Sequence, residues 1–450
     1  MLDKIIKAYD IRGLVKDEVT PDFAFSVGVA FAKFLEIERE PATIVVGEDM
    51  RASSAPLAKA FCDGATSQGM DVIRIGLSST DMLYFASGKL NLPGIMFTAS
   101  HNPAKYNGMK LCKSGARPIG KESGLQVIRD IIEKGASLSI RSVGHIREQD
   151  LLKEYVDYLL KQFPKKTFSK RKIRVVIDAG NGMAGFTAPA VMAKLNVDLI
   201  PMYFELDGNF PNHEANPIEP ENLKDLQKMV KKQRADIGLA FDGDADRCFL
   251  INEKGELVNP SALTALIAVR ELKKNPKSTI IYNLISSKTV PEVIAENKGK
   301  AIRSRVGHSY IKNLMAETGA VFAGEHSGHF YFKDFWKADS GMLAALYALA
   351  ELMNSKGTLS ELLKPYERYF SSGEINSKVK DAQKSIEGVK KKYQGDYEVD
   401  ELDGLTITAK EWWFNLRPSN TEPLLRLNVE AQTHKQMVEI RDAVLAQIKR

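Results

Sequence analysis

Short apolar runs of four to six residues alternate along this chain with longer amphipathic stretches, the pattern of strand–helix–strand units. Thr43–Gly47, Asp71–Ile75 and Gly94–Phe97 predict strands of a first unit. Between the first two, Ser53–Gln68 predicts a helix opened by Ser-Ser-Ala-Pro. A basic, Pro-containing connector around Phe163–Arg171 leads into a second unit, with strands at Ile173–Ile177, Val197–Ile200 and Ile237–Phe241. A third unit reads as Thr279–Asn283, Lys300–Arg303 and Ala320–Ala323, with a helix over Met342–Met353. Such alternation argues for α/β units with parallel or mixed sheets. From about Ser371 the texture changes to Glu374-Ile-Asn-Ser, a turn at Leu402–Gly404, then Thr406–Thr408, Trp412–Phe414 and Leu424–Val429. A final helix from Thr433 completes what reads as a small α+β domain.

At 450 residues the chain exceeds what one core organises, so two to four domains are expected. Its 44% hydrophobic and 27% charged residues are ordinary for a globular protein. A net charge of +6 on 63 basic and 57 acidic side chains is a weak bias that suits small anionic substrates. Lys165–Arg174 and Lys390–Lys392 lie far apart and read as solvated faces, so no nucleic-acid partner is expected. Cys62, Cys112 and Cys248 form no Cys-x-x-Cys pair, which points to a reducing compartment. The N-terminus lacks a secretory apolar region and no apolar run approaches a membrane span. These readings together predict a cytoplasmic enzyme without a membrane partner.

Four loops carry candidate chemistry. Thr98-Ala-Ser-His-Asn-Pro103 follows the strand Gly94–Phe97 and presents the Ser100 hydroxyl beside His101, with Lys110 ten residues on. Asp242-Gly-Asp-Ala-Asp-Arg247 follows Ile237–Phe241; carboxylates at alternate positions, with Gly243 for tight curvature, suit Mg²⁺. A calcium loop is rejected, because Arg247 stands where its glycine belongs and the apolar Cys248–Ile251 follows. Gly324-Glu-His-Ser-Gly-His329 places Glu325 and Ser327 on one side, suited to adjacent sugar hydroxyls. Zinc on His326 and His329 lacks a third ligand at the right spacing. Arg417-Pro-Ser-Asn-Thr-Glu-Pro423, with Arg426 behind it, has the composition of a phosphate-binding loop. Gly180-Asn-Gly-Met-Ala-Gly185, with Glu205 beyond it, matches a dinucleotide fingerprint but reads as a tight strand–helix turn.

With the Ser100, Asp242, Glu325 and Arg417 loops in this order, and Ala8-Tyr-Asp-Ile-Arg-Gly13 as an opening motif, the chain resembles the α-D-phosphohexomutases over essentially its whole length. The Arg417 loop is most similar to the phosphomannomutase/phosphoglucomutase branch; the phosphoglucosamine mutase branch usually has Gly in place of Asn420. The resemblance implies three similar mixed α/β domains plus a smaller C-terminal α+β domain around a central cleft. Residues 1–148 would bear the phosphoserine, 149–251 the metal, 252–368 the sugar grip and 369–450 the phosphate site. Ser100 would carry the phosphoryl group, and Asp242, Asp244 and Asp246 would hold Mg²⁺ against that phosphate. Glu325 and Ser327 would grip the sugar; Arg417, Ser419, Asn420 and Thr421 would bind the non-reacting phosphate. Arg247, His308, Lys110, Tyr9 and Arg12 fit family positions near the reacting groups. Ile285, in Asn283–Lys288, stands where related enzymes often place a basic residue, and Lys288 is the cation that would compensate.

The implied reaction interconverts hexose 1-phosphate and hexose 6-phosphate, of mannose or glucose, through phospho-Ser100 and a bound hexose 1,6-bisphosphate that also serves as activator. Lys110, its pKa lowered by neighbouring cations, is the preferred general base, with His308 as the other candidate. A phosphoglucosamine mutase, a metal-dependent sugar phosphatase and a non-catalytic sugar-phosphate sensor are the alternatives. A monomer or small homo-oligomer is expected.

Overall fold

The computed structural model describes residues 2–135, 142–418 and 424–448, excluding the side chains of His308 and Ser309. By packing, the chain forms two compact units: Met1–Val258 with Ser327–Leu362, and Asn259–His326 with Leu363–Arg450.

In the first unit one sheet runs Ile11–Leu14, Tyr106–Lys113, Gly94–Phe97, Thr43–Glu48, Asp71–Leu77, Ile146–Glu148. Thr43–Glu48 is parallel to both its neighbours, while Tyr106–Lys113 is antiparallel to both of its own. The helix Pro21–Ile37, capped by the Thr20 hydroxyl with proline at its first position, packs against the helix Ser54–Thr66. A second sheet has the order Cys248–Asn252, Ile237–Phe241, Ile173–Asp178, Val197–Met202, parallel except for Cys248–Asn252. Ser100 follows the end of Gly94–Phe97 and Asp242 the end of Ile237–Phe241. Both therefore lie beyond the carboxyl ends of parallel strands, where open α/β sheets bind ligands.

The helix Gly341–Asn354 matches the expected Met342–Met353, but it packs on Cys248–Asn252 and the turn Thr167–Ser169. Periodicity revealed the helix and not the core it completes.

In the second unit Thr279–Asn283 lies between parallel Lys300–Ser304 and Phe322–Gly324. Its C-terminal sheet is antiparallel, ordered Phe370–Lys378, Leu424–Ala431, Trp412–Pro418, Leu405–Thr408, Glu398–Asp400. Two helices pack on this sheet, Ala382–Tyr393 and His434–Ile448. The first was not expected. Its buried Ile386, Val389 and Tyr393 are diluted by polar residues, and Lys390–Lys392 are its last turn.

Among the described residues no helix is long and apolar enough to cross a membrane. All three cysteines are free and buried.

Candidate active site

The Ser100 backbone lies in the left-handed region at φ 49°, which costs a non-glycine residue roughly 1–2 kcal/mol. That turn points the buried hydroxyl at the acidic loop, where Ser100 Oγ donates to Asp242 Oδ2 at 2.8 Å. His101 Nδ1 lies 3.1 Å from the same oxygen and accepts from Arg247 Nη2 at 2.6 Å. Burial, reinforced by Arg247, holds the His101 pKa well below the ordinary histidine value. Arg12 donates to Asn102 Oδ1 and Asp10 Oδ2, each at 2.5 Å, and so reaches the serine loop; Tyr9 is half-buried just before it.

The two loops meet through glycine. A Cβ on Gly243 would lie 2.4 Å from the Ser100 carbonyl oxygen, and one on Gly182 would lie 2.6 Å from the Gly243 carbonyl. Close approach, rather than backbone curvature, is what Gly243 supplies; the left-handed residue of the loop is Ala245, at φ 60°. The Gly180–Gly185 turn is the floor beneath the acidic loop, with Met183 N donating to Gly243 O at 2.9 Å.

Asp242, Asp244 and Asp246 bring carboxylate oxygens within 4.8 Å of one another. Buried Asp244 Oδ1 accepts no hydrogen bond from any described residue. Clustered hard oxygens with spare acceptor capacity fit Mg²⁺. Burial, then the charges of Asp246 and Asp244, push Asp242 up to about 7. Asp246 is held low despite its burial, because Lys110 and His329 face it.

Lys110 Nζ sits 2.7 Å from Asp244 Oδ2 and 2.6 Å from Asp246 Oδ2. Burial alone would lower its pKa, but these two carboxylates outweigh it and raise the pKa above the ordinary value. The expected lowering of the Lys110 pKa is therefore corrected: the neighbouring carboxylates act in the opposite direction. His329 instead lies 3.5 Å from Asp246 and 3.9 Å from Asp339, with Ser327 Oγ 2.9 Å from its Nδ1. Burial lowers its pKa, yet Asp246 and then Asp339 reverse the sign and raise it. Sequence reading weighed this histidine only for zinc.

The second unit holds the remaining groups. Buried Glu325 accepts from Gly307 N at 3.3 Å, beside the helix His308–Thr318. Arg417 and Arg426 are directly paired across adjacent strands and share Glu374, at 2.7 and 3.3 Å. Two guanidiniums on one carboxylate leave a net positive charge for an anion. Burial lowers the His326 pKa, with Glu374 opposing that and Arg417 adding to it. Ile285 is buried, and the Lys288 Nζ donates to Ala409 O at 2.8 Å. Ser419, Asn420 and Thr421 lie outside the described residues, as does the His308 side chain.

Sequence reasoning missed Thr80, whose Oγ1 donates to Asp244 Oδ2 at 2.6 Å, together with Glu374 and the buried Arg51. Only Thr80 left a local signal, a Ser79-Thr-Asp81 helix start.

Four domain families of phosphoglucomutase/phosphomannomutase match: alpha/beta/alpha domain I over residues 3–139, domain II over 153–255, domain III over 259–369 and the C-terminal domain over 374–447. The chain is 40% identical to a phosphomannomutase of Escherichia coli K12, covering 98% of this chain and 97% of that protein. It is also 40% identical to a phosphomannomutase of Methanocaldococcus jannaschii, covering 97% and 95%. Among solved structures, a phosphoglucomutase/phosphomannomutase family protein from Burkholderia thailandensis superposes with a TM-score of 0.91 at 31% identity, covering 100% of this chain and 98% of that one.

Proposed function

Because this chain belongs to the phosphoglucomutase/phosphomannomutase family and is a phosphohexomutase, we propose that Ser100 is the residue that carries the phosphoryl group between substrates. Phospho-Ser100 gives its phosphoryl to the free 6-hydroxyl of a hexose 1-phosphate: the serine O–P bond breaks and a sugar O–P bond forms. The bound 1,6-bisphosphate turns over and returns its 1-phosphoryl to Ser100, leaving hexose 6-phosphate. Asp242, Asp244 and Asp246 would hold Mg²⁺, which when bound neutralises charge on the transferring group. Arg247 supplies positive charge beside Ser100 Oγ and Lys110 beside Asp244 and Asp246, and His101 fills the space next to the hydroxyl.

The hydroxyl proton needs an acceptor. The candidates are Lys110, His308 and His329, the last held between Asp246 and Asp339. Glu325 and Ser327 would bind sugar hydroxyls. Arg417 and Arg426 would hold the second phosphate with Ser419, Asn420 and Thr421, and Tyr9 and Arg12 would contact substrate near Ser100. The four regions 1–148, 149–251, 252–368 and 369–450 would divide this work as the sequence suggested. Hexose 1,6-bisphosphate would reload a dephosphorylated Ser100. Unpaired cysteines support a cytoplasmic setting.

The observation that carries the reading is the Ser100 hydroxyl donating to Asp242 at the mouth of three converging carboxylates. It is tested by ³¹P NMR with Mg²⁺, trace glucose 1,6-bisphosphate, and mannose 1-phosphate or glucose 1-phosphate in parallel. Growth of 6-phosphate signals without inorganic phosphate is expected, and the relative rates give the preferred sugar. Accumulating inorganic phosphate would mean a phosphatase, and no change in either tube a sensor.

A further inference from the structure

We propose that Arg51 is a positioning residue for phosphoryl transfer, holding the backbone around Ser100 in the conformation that presents its hydroxyl to the acidic triad. The inference rests on Ser100 being the phosphoryl carrier. A guanidinium has five N–H groups in a fixed planar fork. Here each of them finds an acceptor. Nε donates to Asp49 Oδ2 at 3.2 Å. Nη1 donates to the carbonyls of Pro103 and Tyr106, at 3.1 and 3.2 Å. Nη2 donates to the carbonyls of Ser100 and Asn102, at 2.9 and 2.7 Å.

Four carbonyls, three from the loop after Ala99 and one from the residue that opens the next strand, thus converge on a single side chain that is 2% exposed. The Ser100 and Asn102 carbonyls lie outside any helix or strand and take their bonds from this donor, the Pro103 carbonyl also accepts from Tyr106 N at 3.0 Å, and Tyr106 opens the strand Tyr106–Lys113. Ser100, at φ 49°, is the strained residue among them, and its carbonyl is pinned between Arg51 and Gly243. Strain of this kind persists only where the surroundings over-determine it. Arg51 is the over-determining group.

The guanidinium is itself fixed from two sides. Asp49 is fully buried, accepting from Ser54 Oγ at 2.5 Å and from Arg51 N at 3.0 Å. On the other side the Phe210 ring centroid lies 5.0 Å from the guanidinium carbon, and a Cβ on Gly208 would approach Arg51 Cα to 2.6 Å. The stretch around Gly208–Phe210 therefore closes over Arg51 and keeps water from competing for its N–H groups. Arg51 hydrogen-bonds to neither triad nor hydroxyl; its charge is felt at Asp244, and a substitution that keeps that charge isolates the influence that passes through the Ser100 backbone.

The test uses the full-length enzyme with Mg²⁺. Arg51→Lys keeps the charge beside Asp49 but has at most three donors. Phe210→Ala leaves the Asp49 pair intact and loosens only the cover, which keeps the proposal testable if Arg51→Lys folds poorly. Each variant is exposed to glucose 1,6-bisphosphate, and phosphoryl uptake is timed by intact mass and located by peptide mapping. Steady-state kcat and KM for hexose 1-phosphate, phosphate release to water and thermal unfolding are measured alongside. A misplacement of about 1 Å costs roughly 100-fold. Arg51→Lys should therefore phosphorylate Ser100 and turn over roughly 100-fold more slowly, with KM within about twofold and a larger share of phosphate lost to water. Phe210→Ala should shift the same quantities in the same direction, about three- to tenfold. Wild-type phosphorylation and turnover rates in folded Arg51→Lys and Phe210→Ala would overturn the proposal, as would losses that track only the unfolded fraction. If the wild-type enzyme acquires phosphate elsewhere, or turns over with Ser100→Ala, the carrier reading fails instead.

Discussion

A methyl group added at Gly243 has nowhere to go, because the Ser100 carbonyl oxygen would lie 2.4 Å from it and both partners are backbone. Gly243→Ala should lower kcat by about 100-fold through displacement of the serine loop. KM should change little, and stability should fall by about 1–3 kcal/mol from overpacking. Steady-state kinetics with urea unfolding check this; a wild-type kcat would show that the two loops need not touch. A second residue-scale prediction concerns Asp81, which receives Ser340 Oγ at 2.6 Å, Tyr155 OH at 2.8 Å and the Ser79 hydroxyl. Burial outweighs those three donors and raises its pKa to about 6. The folded state therefore binds a proton that the unfolded state has released. Stability falls as pH rises from about 4 to about 6, by about 3 kcal/mol in all. Asp81→Asn should remove that component of the slope, seen in urea midpoints at pH 4.5, 5.5 and 7; parallel slopes in the two proteins would rule it out. What was legible at this scale was whatever sat inside a contiguous motif, namely Ser100 and the three aspartates. Arg51, Thr80 and Glu374 were illegible because each meets partners far along the chain. The sign of the Lys110 shift depends on two carboxylates more than 130 residues away.

Elements were legible where apolar residues run together. Gly94–Phe97, Ile237–Phe241 and Thr279–Asn283 begin and end where their sequences indicate, since strands buried on both faces need no alternation. The helix Ala382–Tyr393 was not legible, because three apolar residues among five lysines and glutamines give a weak stripe. Its start is nevertheless well defined: Asp381 Oδ1 accepts from Lys384 N at 3.0 Å. Asp381→Ala should cost about 1 kcal/mol, the usual loss for an N-cap carboxylate. The loss should be confined to the C-terminal sheet that this helix covers. Hydrogen exchange on Leu405–Thr408 and Trp412–Pro418 would report it; unchanged protection there would mean that the helix is held by its apolar face alone. The tract Lys390–Lys392, read as a solvated basic run, is the last turn of this helix, where cations also favour the helix dipole.

For the whole molecule, four loops in a fixed order identified the family, and that order survives any error about individual strands. The grouping of elements did not follow from order, as the return of Gly341–Asn354 to the first unit demonstrates. The division into two units also separates the chemistry. The acidic triad lies in the first unit and the paired arginines in the second. Perturbing one should therefore leave the other's ligand response intact, and their effects should add as independent sites do. Mg²⁺ at 100 times its Kd should stabilise the wild type by about 2.7 kcal/mol. Arg417→Ala should keep that stabilisation while raising KM for hexose 1-phosphate by about 10- to 100-fold, the loss of a charged hydrogen bond of about 1.5–3 kcal/mol. Asp244→Asn should lose the Mg²⁺ stabilisation and most of kcat, yet leave KM within about twofold. Chelation of the wild type should reproduce the Asp244→Asn kinetics without unfolding the protein, because Lys110 pairs with both Asp244 and Asp246 and offsets part of their charge. Thermal melts with and without Mg²⁺, run beside steady-state assays on both single variants and the double variant, decide the matter. A double variant whose losses fall well short of the sum would show that the phosphate site acts on the metal site, and the two units would then have to be treated as one catalytic body.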